Sequence, residues 1–240
     1  MTEKNQVQPA TAISITAASV AIATAILYQV LLIVLVFLRP DLDPTWHTIS
    51  EWVIGPYGWL MRMAFFAWAV SYTALFVMLK SQLWGKLGKT GLVLLLICVI
   101  GTFGVGIFTT DPLNENTITL TGILHTITGT AGLMLFPFAA LCISLSLALK
   151  NAAWSATRRV LLWTAGLPLL GWAGFMIYTT IFVVPLGDHA FGPGVNIGLP
   201  PRFAMLSYML WTVILAGLAI KVHRQHSSMY VVKEEQVSPA

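Results

Sequence analysis

Hydrophobic residues fill six long stretches of the chain, and the charged residues are confined to the segments between them. The charge-free intervals cover residues 5–38, 63–79, 90–110, 116–149, 160–187 and 203–220. A helix needs about 20 apolar residues to cross the roughly 30 Å of hydrocarbon in a bilayer, so each interval holds one crossing. The pattern predicts six transmembrane helices, at residues 14–38, 58–79, 90–109, 120–148, 160–185 and 203–222.

The composition excludes a water-soluble protein. Hydrophobic residues make up 57% of the chain and charged residues 9%, whereas about 25% of the residues in a soluble domain are charged. The expected fold class is all-α, a polytopic membrane protein. Its six-helix transmembrane bundle covers residues 14–222, between a cytoplasmic tail at 1–13 and a disordered cytoplasmic tail at 223–240. The only cysteines, Cys98 and Cys142, fall inside predicted helices, so the sequence supports no disulfide or cysteine-based zinc site.

The basic residues predict the orientation in the cell membrane. Ten Lys and Arg residues lie on the side that holds both termini, and three lie on the other side. Because basic residues favour the cytoplasmic side, both termini of this multi-pass protein are expected in the cytoplasm. This placement accounts for the isoelectric point of 9.2 without a nucleic-acid partner. The expected partners are membrane lipids, together with another membrane protein or a second copy of the chain.

The first outer loop has the pattern of a short interfacial helix. Pro44 favours a helix start and Gly55 a stop, which predicts about three helical turns between them. Trp46 and Trp52 are then expected to anchor this helix in the headgroup region.

Ionisable residues near the outer helix ends are the candidate functional groups. Arg62 lies about one turn inside the second predicted helix, and Glu51 is its nearest acidic neighbour in the sequence. A structural ion pair between the two is one interpretation, and binding of a lipid phosphate or carboxylate by Arg62 is the other. His125 lies inside the fourth predicted helix, on one face with Gly129. It is either a functional group or a neutral imidazole hydrogen-bonded across a helix contact.

The chain resembles the six-span membrane proteins of domain of unknown function 998. The resemblance rests on His-Thr-Ile-Ser-Glu at residues 47–51, Gly-Pro-Tyr-Gly-Trp-Leu-Met-Arg at 55–62, Phe-Thr-Thr-Asp-Pro at 108–112, and His125. It implies the six-span topology for about residues 14–222 and assigns no activity. The group also looks distantly similar to the Frag/DRAM/Sfk membrane proteins.

Three functional hypotheses follow from the outer-face residues. The first is a lipid- or amphiphile-binding protein without catalysis or cofactor, whose outer cleft is lined by Glu51, Arg62, Asp111 and His125. The second is an intramembrane metal-dependent lipid hydrolase. In it, His47, Asp111 and His125 bind a divalent metal, and Glu51 is the catalytic general base. The third is a proton-coupled transporter with Asp111 and His125 as the relay.

Overall fold

The computed structural model describes residues 13–112 and 118–237, excluding the side chains of 188–189 and 228–237. Within these residues all regular structure is helical, and six helical segments are long and apolar enough to cross a membrane. The predicted all-α, six-span fold is confirmed. The main helices are α1 (Ile15–Leu38), α2 (Gly58–Leu79), α3 (Gly85–Ile107), α4 (Leu120–Met134), α5 (Phe136–Lys150), α6 (Arg158–Thr164), α7 (Gly166–Tyr178) and α8 (Leu199–Val237).

The fourth and fifth spans are broken where the sequence predicts continuous helices. Pro137 lies in the first turn of α5 and has no backbone N–H, so it cannot continue the hydrogen-bond ladder of α4. The fifth span consists of a 3₁₀ helix at Ala152–Thr157, then α6 and α7. A π-helical turn at Thr179–Val183 and a second 3₁₀ helix at Val184–His189 complete it.

The last helix is longer than the sequence predicts. Helix α8 continues to Val237, whereas the sequence places a disordered tail from residue 223 onward. The segment between Arg202 and Val237 contains no proline, so every residue there can donate its backbone N–H. The predicted N-terminal tail at 1–13 lies almost entirely outside the described residues.

The six spans form a closed ring in chain order, in which α8 packs against α1. Aromatic side chains fill part of its interior. Tyr72 of α2 stacks on Phe136 of α5, with ring centroids 4.3 Å apart. Phe136 also contacts Tyr208 and Trp211 of α8, at 5.0 and 5.5 Å. These contacts connect three spans across the ring.

The first outer loop differs from its predicted three-turn helix. It contains a 3₁₀ helix of five residues, Ile49–Val53. The helix begins there because the Glu51 carboxylate accepts a hydrogen bond from the Thr48 backbone N–H. Trp52 is 1% exposed, and the Arg202 guanidinium lies 5.1 Å from its ring centroid. The prediction that Trp52 is an interfacial anchor is therefore wrong.

Helices α3 and α4 approach closely along glycines. A Cβ atom on Gly101 would lie 2.6 Å from the Thr128 carbonyl oxygen and 2.9 Å from the Gly132 backbone nitrogen. Since both neighbours are backbone atoms, a side chain at Gly101 would force the helices apart. Small residues permit this type of contact in membranes, where dispersion forces are a main source of helix association.

The glycine contact yields a first prediction. Replacing Gly101→Ala should lower the midpoint of thermal unfolding in detergent, because overpacking costs about 1–3 kcal/mol. Gly217→Ala is the matched control, since a Cβ there meets nothing within 4 Å. Equal midpoints for the two variants would contradict the close contact between α3 and α4.

Candidate functional site

The four side chains predicted to line the outer cleft make no hydrogen bond or ion pair with one another in the described part of the chain. Glu51, Arg62, Asp111 and His125 each bond to backbone groups near a helix end. Their polar atoms are therefore engaged largely in building the loop face that carries residues 39–57 and 108–112, here called the outer face after its predicted orientation.

Glu51 stabilises the first outer loop. Its Oε2 atom accepts hydrogen bonds from the Thr48 backbone N–H at 2.7 Å and from the Thr48 hydroxyl at 3.2 Å. The residue is buried, with 9% of its surface exposed. These two hydrogen bonds from Thr48 close the helical turn.

Arg62 binds the end of α3 instead of forming the predicted ion pair with Glu51. Its Nη1 atom donates to the carbonyl oxygens of Gly106 and Ile107, both at 3.2 Å. Its Nη2 atom donates to the Thr109 hydroxyl at 2.6 Å. The last carbonyls of a helix lack partners within the helix and carry partial negative charge, so a cation is favoured there.

Asp111 stabilises the opposite type of helix end, the start of α4. Its carboxylate accepts hydrogen bonds from the Thr119 backbone N–H at 2.9 Å and from the Thr119 hydroxyl at 2.6 Å. Negative charge is favoured at a helix N-terminus. The hydrogen bonds from Thr119 lower the pKa of the Asp111 carboxyl below its ordinary value, and the positive charge of a protonated His125 would act in the same direction.

His125 contacts a backbone carbonyl through one ring nitrogen and packs its ring inside the bundle. Its Nδ1 atom lies 2.9 Å from the Phe108 carbonyl oxygen. Because a carbonyl only accepts, Nδ1 carries the proton, and in the neutral ring Nε2 is an acceptor. Nε2 makes no hydrogen bond to any described residue. The ring is 5% exposed and lies edge-on to Phe65, with centroids 6.0 Å apart.

The proposed metal ligands do not form a common site. His47 places its Nδ1 atom 3.2 Å from the Asp43 carbonyl oxygen, and its ring lies 3.5 Å from that of Trp46. Among the side chains that the structure describes, no group of three or more His, Cys, Asp or Glu residues is arranged to hold a metal ion. The structure therefore does not bring His47, Asp111 and His125 together as a ligand set.

A cavity of about 260 Å³, here called the inner chamber, lies inside the outer half of the bundle. Every span contributes to its wall. One residue from each, in chain order, is Tyr28, Phe65, Val105, His125, Phe175 and Met205. The wall is mostly apolar with a few polar groups, a combination typical of small-molecule sites.

Two residues that line the inner chamber carry hydroxyl groups without a partner in the described part of the protein. The Tyr28 hydroxyl is completely buried and makes no hydrogen bond to a described residue, and the same holds for the buried Thr179 hydroxyl. A buried polar group left unpaired costs about 1–3 kcal/mol. With His125, three residues that line this cavity therefore each carry a polar atom with unused hydrogen-bonding capacity.

Thr179 also begins the π-helical turn of the fifth span. Single π-helical turns in α-helices frequently occur at functional sites. Neither Thr179 nor Tyr28 is among the residues that sequence reasoning selected. The available signal was weak, a hydroxyl in an otherwise apolar span.

The first outer loop closes the inner chamber toward the outer face. Residues 48–50 line the cavity. Two arginines secure this loop through backbone carbonyls. Arg39 donates from Nη1 to Ile54 and Pro56, at 2.8 and 2.9 Å. Arg202 donates from Nη1 to three more carbonyls, those of residues 44, 47 and 198, at 2.7–3.0 Å.

An ion pair fixes the Arg39 end of this loop. The other edge of the Arg39 guanidinium pairs with the Asp41 carboxylate at 2.7 Å. Hydrogen bonding to Arg39 lowers the pKa of the Asp41 carboxyl. The loop is therefore held at both ends by cationic side chains that bind its backbone.

Comparison with known proteins identifies one family. A family model described as "Protein of unknown function (DUF998)" matches residues 21–218. A search of curated proteins and a search of solved structures return no match. The expected similarity to the Frag/DRAM/Sfk proteins is not among these findings and stays a prediction.

The contacts of Arg62 yield a second prediction. Arg62→Met should lower the free energy of unfolding by about 2 kcal/mol, because a hydrogen bond to a charged group contributes about 1.5–3 kcal/mol. Arg62→Lys should cause a smaller decrease in the free energy of unfolding, since it keeps the positive charge at the end of α3. Arg159→Met is the control, because Arg159 is exposed. Equal unfolding midpoints for Arg62→Met and Arg159→Met would contradict the assignment.

The lowered pKa of Asp111 yields a third prediction. Its carboxylate should contribute full stability above the ordinary pKa of about 3.9, and lose it as pH falls through the lower folded-state value. Asp111→Asn should therefore reduce the thermal midpoint at neutral pH, and the difference from wild type should vanish in strong acid.

The Thr119→Val variant tests the cause of this lowered pKa. Loss of the Thr119 hydroxyl should move the disappearance of the Asp111→Asn effect to higher pH. The assignment is contradicted if wild type and Asp111→Asn keep the same difference in midpoint at every pH.

Proposed function

The chain belongs to the DUF998 family of membrane proteins, and we propose that it binds a membrane-soluble amphiphile in the inner chamber. The observation that carries this proposal is Tyr28, which lines the cavity and whose buried hydroxyl has no hydrogen-bond partner among the described residues. A bound polar head group would supply the missing hydrogen bond. The apolar wall around it would accommodate a hydrocarbon tail.

The polar groups of the chamber favour an uncharged head that bears a hydroxyl. The hydroxyls of Tyr28 and Thr179 can donate or accept, whereas Nε2 of a neutral His125 only accepts. An alcohol or phenol can donate to His125 while it accepts from one of the hydroxyls. A carboxylate or phosphate without a proton cannot donate to His125. It would also bring a charge into an apolar site, which is costly.

The size of the chamber limits what it can enclose. A volume of about 260 Å³ holds roughly nine groups the size of a water molecule, at about 30 Å³ each. A small head and a short tail fit within it, and a complete two-chain phospholipid does not. Phe65, Trp68 and Leu133 supply apolar contacts for the tail.

The structure offers less support for catalysis or transport. A metal-dependent hydrolase needs a ligand set, and His47, Asp111 and His125 form none among the described residues. A proton relay between Asp111 and His125 needs a hydrogen-bonded path, but each of these side chains bonds to a different backbone group. Both hypotheses stay predictions from the sequence.

A fourth prediction tests binding directly with 1-octanol, whose about nine non-hydrogen atoms match the chamber volume. Tyr28→Phe should weaken the affinity measured by native mass spectrometry about two- to tenfold, because one hydrogen bond contributes about 0.5–1.5 kcal/mol. Its thermal midpoint without ligand should not fall, since the hydroxyl has no protein partner to lose.

Tyr72→Phe is the matched control. The Tyr72 hydroxyl is also buried without a partner, but Tyr72 does not line the chamber. It should leave 1-octanol binding unchanged. Octanoate at pH 8 should bind wild type more weakly than 1-octanol. Equal effects of the two tyrosine variants would overturn the proposed site, and equal binding of octanoate would overturn the uncharged hydroxyl head.

A further inference from the structure

A second cavity, here called the outer groove, adjoins the inner chamber. It has a volume of about 400 Å³ and lies between α7 and the beginning of α8. Phe175 of α7 lines both cavities. Its side chain therefore forms part of the partition between them.

The segment that leads into α8 forms another part of this partition. Adjacent residues along it line different cavities. Asn196 lines the outer groove and Ile197 the inner chamber, and Pro200 and Pro201 are divided in the same way. In this part, consecutive residues of the segment separate the two cavities, so opening it would require the backbone to move. Phe175 contributes a side chain, which can change position without movement of the backbone.

The outer groove is bordered by side chains on the membrane-facing surface. Leu170 is 73% exposed and Phe203 is 64% exposed. In a bilayer, exposed apolar side chains on a spanning helix contact lipid chains. Gly174 leaves additional space beside Phe175, because a Cβ there would meet nothing within 4 Å.

The fifth span is the least buried of the six. Only 11% of its most apolar 18-residue stretch is buried, against 50% in the sixth span. Most of the side-chain surface of this stretch is therefore not covered by the described protein, although α7 packs closely against α8 at Gly171. A hydrocarbon chain in the outer groove would cover apolar surface on α7 and α8 that the protein leaves exposed.

The geometry points to Phe175 as the residue that determines the tail length of the bound amphiphile. The head and first carbons occupy the inner chamber, and a longer tail displaces the Phe175 ring and continues through the outer groove into the bilayer. This inference rests on the proposed binding function. It adds a site for the rest of a single-chain amphiphile, which the inner chamber alone cannot enclose.

A comparison of short and long alcohols tests the role of Phe175. The experiment measures 1-octanol and 1-hexadecanol binding to the full chain in detergent by native mass spectrometry. Phe175→Ala joins the two cavities, so it should raise the affinity for 1-hexadecanol relative to 1-octanol by about tenfold. Phe175→Leu should cause a smaller shift in the same direction. Phe37→Ala is the control, because Phe37 is 79% exposed and lines neither cavity.

The outcomes separate failure of this inference from failure of the proposed function. One outcome is that wild type binds 1-octanol but the ratio of the two affinities is the same in wild type, Phe175→Ala and Phe175→Leu. That result overturns the assignment of Phe175 and leaves the proposed binding in the inner chamber intact. If wild type binds neither alcohol, both the proposed function and this inference are overturned. Thermal unfolding identifies a misfolded Phe175→Ala variant, in which case Phe175→Leu decides the question.

Discussion

Backbone groups at helix ends impose the main constraint on this protein. The first N–H groups and last carbonyls of a helix have no partners within it, and the bilayer interior supplies none. At the outer face, Arg62 binds the last carbonyls of α3 and Asp111 binds the first residues of α4. Arg202 binds carbonyls of the first outer loop. The described charged side chains on this face therefore mainly hold helix ends and loops.

This constraint explains which features could be predicted from sequence. Charges avoid the spans, so their positions locate the six helices, and α2 has the predicted bounds Gly58–Leu79. The functional roles of Glu51 and Arg62 could not be predicted in the same way. The carbonyls that Arg62 binds are groups that every residue offers, so they leave no mark in the sequence. Glu51 did leave one, because Thr48 and Glu51 have the Thr-x-x-Glu spacing of a capping box, which sequence reasoning did not use. Opposite charges suggested an ion pair, but helix ends supplied nearer partners.

Tyr28 and Thr179 of the inner chamber were missed because a hydroxyl in a span is a weak signal. Threonines inside helices commonly donate to the carbonyl four residues earlier, as Thr24 does to Val20 and Thr73 to Ala69. A threonine in a span therefore gives little indication of a site. Thr179 differs because its hydroxyl makes no such bond, which is apparent only when the fifth span is seen to become π-helical there. His125 was found because an ionisable group in a span is rare.

The two ring nitrogens of His125 have different roles, and through them the end of α3 is connected to the inner chamber. Nδ1 donates to the Phe108 carbonyl just beyond α3, which fixes both the ring position and its neutral tautomer. Nε2 is then an acceptor at the edge of an apolar chamber, with its orientation set by the same bond. A ligand that pairs with Nε2 and Tyr28 would also cover part of the largely exposed fifth span at Phe175 and Thr179. Binding to the folded state alone stabilises that state. Occupation of the chamber would therefore supply partners for the unpaired hydroxyls and also cover apolar surface of α7 that the described protein leaves exposed.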